Sequence, residues 1–293
     1  MATRSRLDPL VIAQLGNLHL RARRILDGLY SGAHINRNRG SSKEFSQHRP
    51  YNPGDDPKSL DWKIFGRTDR LVVKQYEEET NMISLLLMDD SASMTFSAEG
   101  RLSKWEYAKS LAAAFTYLLL SQGDAVGVVS RETLLPPRSQ WAHLDPCLRT
   151  LDAIKPGGVW TPDNILKKFP LPFRKKSFIV VFSDLMAEPD EMISTLRALH
   201  ARKNEVMVFQ ILDPAERDLS FHGPVIFEDA ETGEKIRTEP DVIRETYQKY
   251  LKARLNIFSQ AFRGYGMDYV VLTTDAPFDK GLGMYLSWRG VSL

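Results

Sequence analysis

Apolar residues along the chain follow two alternating patterns. The first is a short uninterrupted run, seen at 83–88, 125–129, 178–182, 206–211 and 269–272. Runs of this kind bounded by turn residues read as strands buried on both faces of a sheet. The second pattern is i, i+3, i+4 spacing. Trp105, Ala108, Leu111, Ala112, Phe115, Leu118 and Leu119 mark the apolar face of a helix ending near Gly123. Ser103 with Glu106 supplies a capping box at its start. Similar spacing predicts one or two helices over 8–29, one over 189–202, a long one carrying Leu251, Leu255, Phe258 and Phe262, and a last one around Leu282 to Trp288. Asp145 and Pro146 read as N-cap and first residue of a helix to Ile154, and Thr161 with Pro162 reads the same way. Pro136 and Pro137 read as a turn, and 225–238 as a hairpin around Thr232-Gly233.

Strands alternating with helices predict an α/β fold with a mostly parallel central sheet flanked by helices. Residues 1–80 hold helices, a Gly/Asn/Arg/Ser loop over 32–42 and a strand over 71–76, and form a small elaboration. Residues 81–293 form the main domain.

Composition narrows the class. The 293 residues are 43% hydrophobic and 26% charged, which is ordinary for a soluble globular chain and enough for a large core. One cysteine, Cys147, excludes an intrachain disulfide and a cysteine metal cluster. The longest apolar stretches, near 111–120 and 178–182, are too short to span a bilayer, and the N-terminus has no apolar signal segment. A cytoplasmic location is the expectation. Net charge is +2, yet residues 1–50 carry nine Lys or Arg against three acids. No nucleic-acid motif accompanies that excess, so a basic face for acidic protein surface is expected, and no specific nucleic acid.

The candidate chemistry sits where the first buried run ends, at Asp89-Asp90-Ser91-Ala92-Ser93. Alternate residues of an extended segment point the same way, so Asp89, Ser91 and Ser93 can converge. Open α/β sheets bind ligands at the carboxyl ends of their strands. One carboxylate and two hydroxyls suit a hard cation such as Mg²⁺. Asp and Ser at such a place also serve as plain turn and cap residues. Two further loops supply oxygen ligands, Thr161 after Pro156-Gly157-Gly158 and Asp184 after the run at 178–182. The set of Asp89, Ser91, Ser93, Thr161 and Asp184 is expected to hold one divalent cation, Mg²⁺ or Mn²⁺. The histidines, His19, His34, His48, His143, His200 and His222, form no close ligand pair.

These residues resemble the metal-ion-dependent adhesion site of von Willebrand factor type A domains. A second block, Arg49, Tyr51, Pro53-Gly54-Asp55-Asp56, Asp61-Trp62 and Arg67, with Glu77 to Glu79, is similar to a bacterial family of uncharacterised type A-like proteins encoded beside MoxR-type AAA+ ATPases. Lys58 and Gly66 depart from that family's pattern, and Asp90 adds a second acid beside the site. The resemblance implies a Rossmann-like fold and a metal-dependent protein-interaction module. It also implies an adaptor or assembly role with a MoxR-type AAA+ ATPase or an acidic client, without enzymatic activity. The Pro53–Asp56 block is expected to pack with a buried Trp62 and Arg67 onto the main domain as a clamp.

The enzymatic alternative is a metal-dependent phosphohydrolase using Asp89 and Asp184. Haloacid-dehalogenase-type enzymes need Asp-x-Asp, and Ser91 stands where the second acid belongs. No Gly-x-Ser-x-Gly elbow and no Gly-x-x-x-x-Gly-Lys-Ser/Thr loop is present, so neither a serine hydrolase nor a P-loop ATPase fits.

Overall fold

The structure, a computed structural model, describes residues 8–33, 45–51, 60–76, 82–161 and 176–289. The described chain divides into two compact units, residues 37–81 and the remainder.

The smaller unit pairs β1 (Phe45–Pro50) with β2 (Val72–Tyr76) antiparallel. Between them runs α1 (Trp62–Thr68), capped by the Asp61 carboxylate, which accepts from the backbone N–H of Lys63 and Ile64. Trp62 is 61% exposed and meets the Phe65 ring edge-on at 6.1 Å. The expectation of a buried Trp62 is therefore corrected: as the first residue of a short helix, it covers little beyond Phe65. Residues 52–59, which carry Pro53-Gly54-Asp55-Asp56, lie outside the described residues, as do Glu77 to Glu79.

In the larger unit, helices α2 (Pro9–Ala13) and α3 (Leu18–Ala33) precede the sheet. Ile12, Ala22, Ile25, Leu26 and Leu29 are buried in the main core, so these helices belong to the larger unit and not to an elaboration over 1–80. Six strands follow: β3 (Ile83–Met88), β4 (Ala125–Val129), β5 (Leu134–Arg138), β6 (Ser177–Ser183), β7 (Glu205–Leu212) and β10 (Asp268–Thr273). Their order across the sheet is β5-β4-β3-β6-β7-β10, and all but β5 run parallel. By chain order this is 3-2-1-4-5-6, a doubly wound α/β sheet whose direction of growth reverses between β3 and β6.

The uninterrupted runs follow from two covered faces. Leu86 and Met88 face one core with Phe115, Phe182, Phe209 and Tyr285. Leu85 and Leu87 face the other with Ile179, Val181, Phe258 and Phe262. Alternate residues serve opposite faces, so neither can be polar. The first core lies under α4 (Lys104–Ser121) and α9 (Asp279–Trp288), and the second under α6 (Pro189–Ala201) and α8 (Pro240–Gly264). Burying each Leu or Phe in them contributes about 1.5–3 kcal/mol.

Two expectations shift. Pro136 and Pro137 form no turn but lie inside β5, an outermost strand of the sheet, where proline is tolerated. Opposite them Gly127 is required, because a Cβ there would lie 2.8 Å from the Leu135 carbonyl oxygen. Helix α5 (Leu144–Ala153) has His143 at its N-cap position, without a side-chain cap, so Asp145 and Pro146 sit inside its first turn. A 3-10 turn over Trp141–His143 leads into that helix and moves its start forward. Pro162 lies outside the described residues. After β7 come a short helix α7 (Pro214–Asp218) and the hairpin β8 (Val225–Glu228) with β9 (Lys235–Thr238), as the Thr232-Gly233 signal predicts. Among the described residues no helix is long and apolar enough to cross a membrane.

Candidate metal centre

β3 and β6 are neighbours, with Met88 paired to Phe182. Asp89 continues that ladder one residue further, donating its N–H to the Phe182 carbonyl at 2.9 Å. Asp89 and Asp184 thus emerge side by side at the carboxyl end of the sheet, at the strand-order reversal. Open sheets place their ligand crevice there.

The five predicted residues line one cavity of about 530 Å³. Asp89 is 3% exposed. Its Oδ1 accepts from the Ser91 N–H at 2.9 Å, and its Oδ2 accepts from the Ser183 hydroxyl. The Ser91 and Ser93 hydroxyls stand 3.0 Å apart. Thr161 reaches the cavity on a loop pinned to the first one. Gly157 N–H donates to the Asp90 carbonyl at 2.8 Å, and Ala92 N–H to the Gly158 carbonyl at 2.9 Å. Asp90 turns the other way. Its Oδ1 accepts from the Arg131 N–H at 3.2 Å, and its Oδ2 lies 3.9 Å from Arg131 Nε. The carboxylate on the cavity is therefore that of Asp89.

Asp184 is held as firmly. Its Oδ1 accepts from the Met186 N–H at 3.2 Å, and Gln210 Nε2 donates to its carbonyl at 2.8 Å. The next residue, Leu185, has φ +55° although it carries a side chain. Arg254, itself buried, fixes that turn by donating to the Leu185 carbonyl at 2.7 Å and to the Ala187 carbonyl. Strained backbone of this sort persists where the surroundings over-determine it.

Two residues at the cavity were not singled out from the sequence. Lys104, the first residue of α4, is fully buried, and its Nζ donates to Asp184 Oδ2 at 2.8 Å and to Glu216 Oε1 at 2.7 Å. A cation at a helix N-terminus opposes the helix dipole, and the two carboxylates offset that. Glu216 also closes the capping box of α7, its Oε2 accepting from the Asp213 N–H at 3.1 Å. The Asp-Pro-Ala-Glu order after β7 was the signal for Glu216.

Electrostatics follow from burial and charge. Burial, then repulsion from Asp184, pushes the Asp89 carboxyl up to about 7, against hydrogen bonds from Ser183 and Ser91. Burial opposes the Lys104 ammonium, but Asp184 and Glu216 outweigh it and hold its pKa above the usual lysine value. Burial likewise raises Glu216, against the pull of Lys104. With all groups ionised, Asp89, Asp184 and Glu216 against Lys104 leave a charge of −2 in a buried site. Glu188, Glu191, Glu228, Asp229 and Glu231 add further acid around the cavity, where Lys104 is the one basic lining residue among the described residues.

The donor set fits a hard divalent cation. Two carboxylates and three hydroxyls converge from three loops, and a charge of +2 would balance the buried cluster.

A family model described as "Protein of unknown function DUF58" matches residues 47–256. The chain belongs to the DUF58 family. Its relatives include uncharacterised proteins of Mycobacterium tuberculosis H37Rv and of Mycobacterium bovis. Each is 30% identical over 277 residues, covering 92% of this DUF58 chain and 86% of the relative. Among solved structures, the chain is similar to the conserved hypothetical protein BatB from Bacteroides thetaiotaomicron, with a TM-score of 0.47 and 16% identity over 71% of this chain and 98% of that one. It is also similar to the VWA domain of SpRpn10, with a TM-score of 0.45 and 10% identity over 70% of this chain and 95% of that one.

Proposed function

We propose that this DUF58 protein is a metal-dependent protein-interaction module. Asp89, Ser91, Ser93, Thr161 and Asp184 would hold one divalent cation, Mg²⁺ or Mn²⁺. The observation that carries the reading is the meeting of the Asp89 and Asp184 carboxylates on one cavity at the sheet's reversal point, beside a hydroxyl pair 3.0 Å apart. When bound, the cation supplies a positive centre with ligand positions open to an oxygen from outside. A carboxylate of a partner suits such a position. The acidic surround gives the cation a second effect. Glu188, Glu191, Glu228, Asp229 and Glu231 repel an approaching acid, so an acidic partner would engage only with the cation in place. The resemblance to proteins encoded beside MoxR-type AAA+ ATPases makes that ATPase, or an acidic client of it, the partner to test, with the chain as adaptor or assembly factor. A phosphohydrolase reading finds less support. Haloacid-dehalogenase-type chemistry needs a second acid two residues after the first, and Ser91 stands there.

Calorimetric titration with Mn²⁺ checks the first half. Wild type is expected to bind one equivalent, and Asp89→Ala and Asp184→Ala to lose at least about tenfold in affinity. Equal affinity in all three proteins sinks the site. A pull-down of the ATPase with and without chelator checks the second half, and chelator-insensitive capture rejects metal-dependent docking.

A further inference from the structure

We propose that Lys104 is a resident counter-cation that competes with the divalent ion for Asp184, making metal binding exchangeable. The proposal rests on the metal-site reading above. Asp184 Oδ2, one of the proposed ligand oxygens, is already taken by Lys104 Nζ at 2.8 Å. The ammonium has nowhere else to go but Glu216, 2.7 Å away, since its side chain is fully enclosed. The Phe96 ring on its other side, 5.8 Å from Nζ, offers weaker compensation than a carboxylate.

The two hosts make an exchange feasible. In one arrangement Lys104 bridges Asp184 and Glu216. In the other the divalent ion takes Asp184, and Lys104 keeps Glu216 alone. Without the divalent ion Lys104 compensates Asp184 and Glu216, while Asp89 has only the Ser183 hydroxyl and the Ser91 N–H. With the ion in place both aspartates face a cation and Lys104 still has Glu216. Glu216 ties the exchange to the fold beyond the crevice. Its second oxygen accepts from Asp213 N–H, and the Asp213 carboxylate accepts from Ala98 N–H at 3.2 Å, on the segment leading into α4. Lys104 is thus a positioning residue for the metal, acting through Asp184.

The test separates competition from bulk charge. The Lys104→Met/Glu216→Gln double variant loses one ammonium and one carboxylate together, so the net buried charge stays the same. It removes the competitor and leaves Asp89 and Asp184 intact. Mn²⁺ alone is the probe, with free ion counted by electron paramagnetic resonance on the full chain. Competition predicts that the double variant binds Mn²⁺ about tenfold more tightly than wild type, the scale of a nearby unit charge withdrawn from a ligand. Glu216→Gln alone, which leaves Lys104 with Asp184 only, is expected to bind more weakly than wild type. Lys104→Arg, keeping the charge, is expected to retain wild-type-like affinity. Equal or weaker binding by a folded double variant overturns the proposal. Absence of Mn²⁺ binding in wild type and every variant overturns the metal site itself, and a double variant that alone binds supports competition in its strongest form.

Discussion

At Gly158 the backbone has φ +68°, and a Cβ there would collide with the Arg131 guanidinium. The guanidinium is the end of a flexible side chain and can move aside, so the backbone conformation sets most of the cost. Gly158→Ala is expected to lower stability by about 1–2 kcal/mol, measured by urea unfolding. An unchanged midpoint would mean that the loop relaxes freely. The position matters because Gly158 also accepts from Ala92, between the two site serines. Asp89, Ser91, Ser93, Thr161 and Asp184 were all legible as oxygen-bearing loop residues that could meet, and all five line the cavity. Which of Asp89 and Asp90 faces the cavity was not, because both follow the same buried run and only the Arg131 contact separates them. Lys104 was not legible either. A lysine beside a capping serine reads as solvated, and its two partners lie 80 and 112 residues away in the chain. Leu185 hides its positive φ for a similar reason: no Gly or Asn marks it, and the support comes from Arg254.

At the scale of elements, α3 and α4 are joined by charge as well as by apolar packing. Arg21 Nη1 and Lys109 Nζ meet the two oxygens of Glu106 at 2.8 and 2.7 Å. Burial opposes ionisation of Glu106, but these two cations outweigh it and hold its carboxyl below the usual value. A depressed folded-state pKa means that its contribution is complete above the ordinary glutamate value of about 4.3 and fades as pH falls through the lower folded-state value. Wild type and Glu106→Gln should therefore differ in thermal midpoint near neutral pH and converge only as pH drops below about 4.3. A gap independent of pH would show that packing, not charge, holds the pair. The same Glu106 was expected to complete a capping box. Only the forward half is made, with Ser103 accepting from Glu106 N–H at 3.1 Å, because the carboxylate is drawn to Arg21 and Lys109. Buried strands were the easiest elements to read, since both faces demand apolar residues. β5 escaped because proline argues against a strand everywhere except at the outside of a sheet.

Across the whole molecule, one ring ties two helices to two strands of the sheet. Phe115 of α4 meets Phe182 of β6 at 5.9 Å, Phe209 of β7 at 5.4 Å and Tyr285 of α9 at 5.2 Å between centroids. It is fully buried. Phe115→Ala is expected to cost about 3–5 kcal/mol, lowering the denaturant midpoint while leaving the slope unchanged. A loss under about 1 kcal/mol would imply a core that repacks around the gap. The outermost strands of the sheet are β5 and β10. A free strand invites another chain to zip onto it, and the zipper needs N–H groups at regular intervals. Pro136 and Pro137 supply none. Neighbouring residues of a strand turn their N–H groups to opposite sides, so the Pro-Pro pair takes one donor from the outward row and interrupts the track that two copies colliding along β5 would share. That flank of the sheet is a poorer zipper tooth-row than its apolar sequence alone would make it.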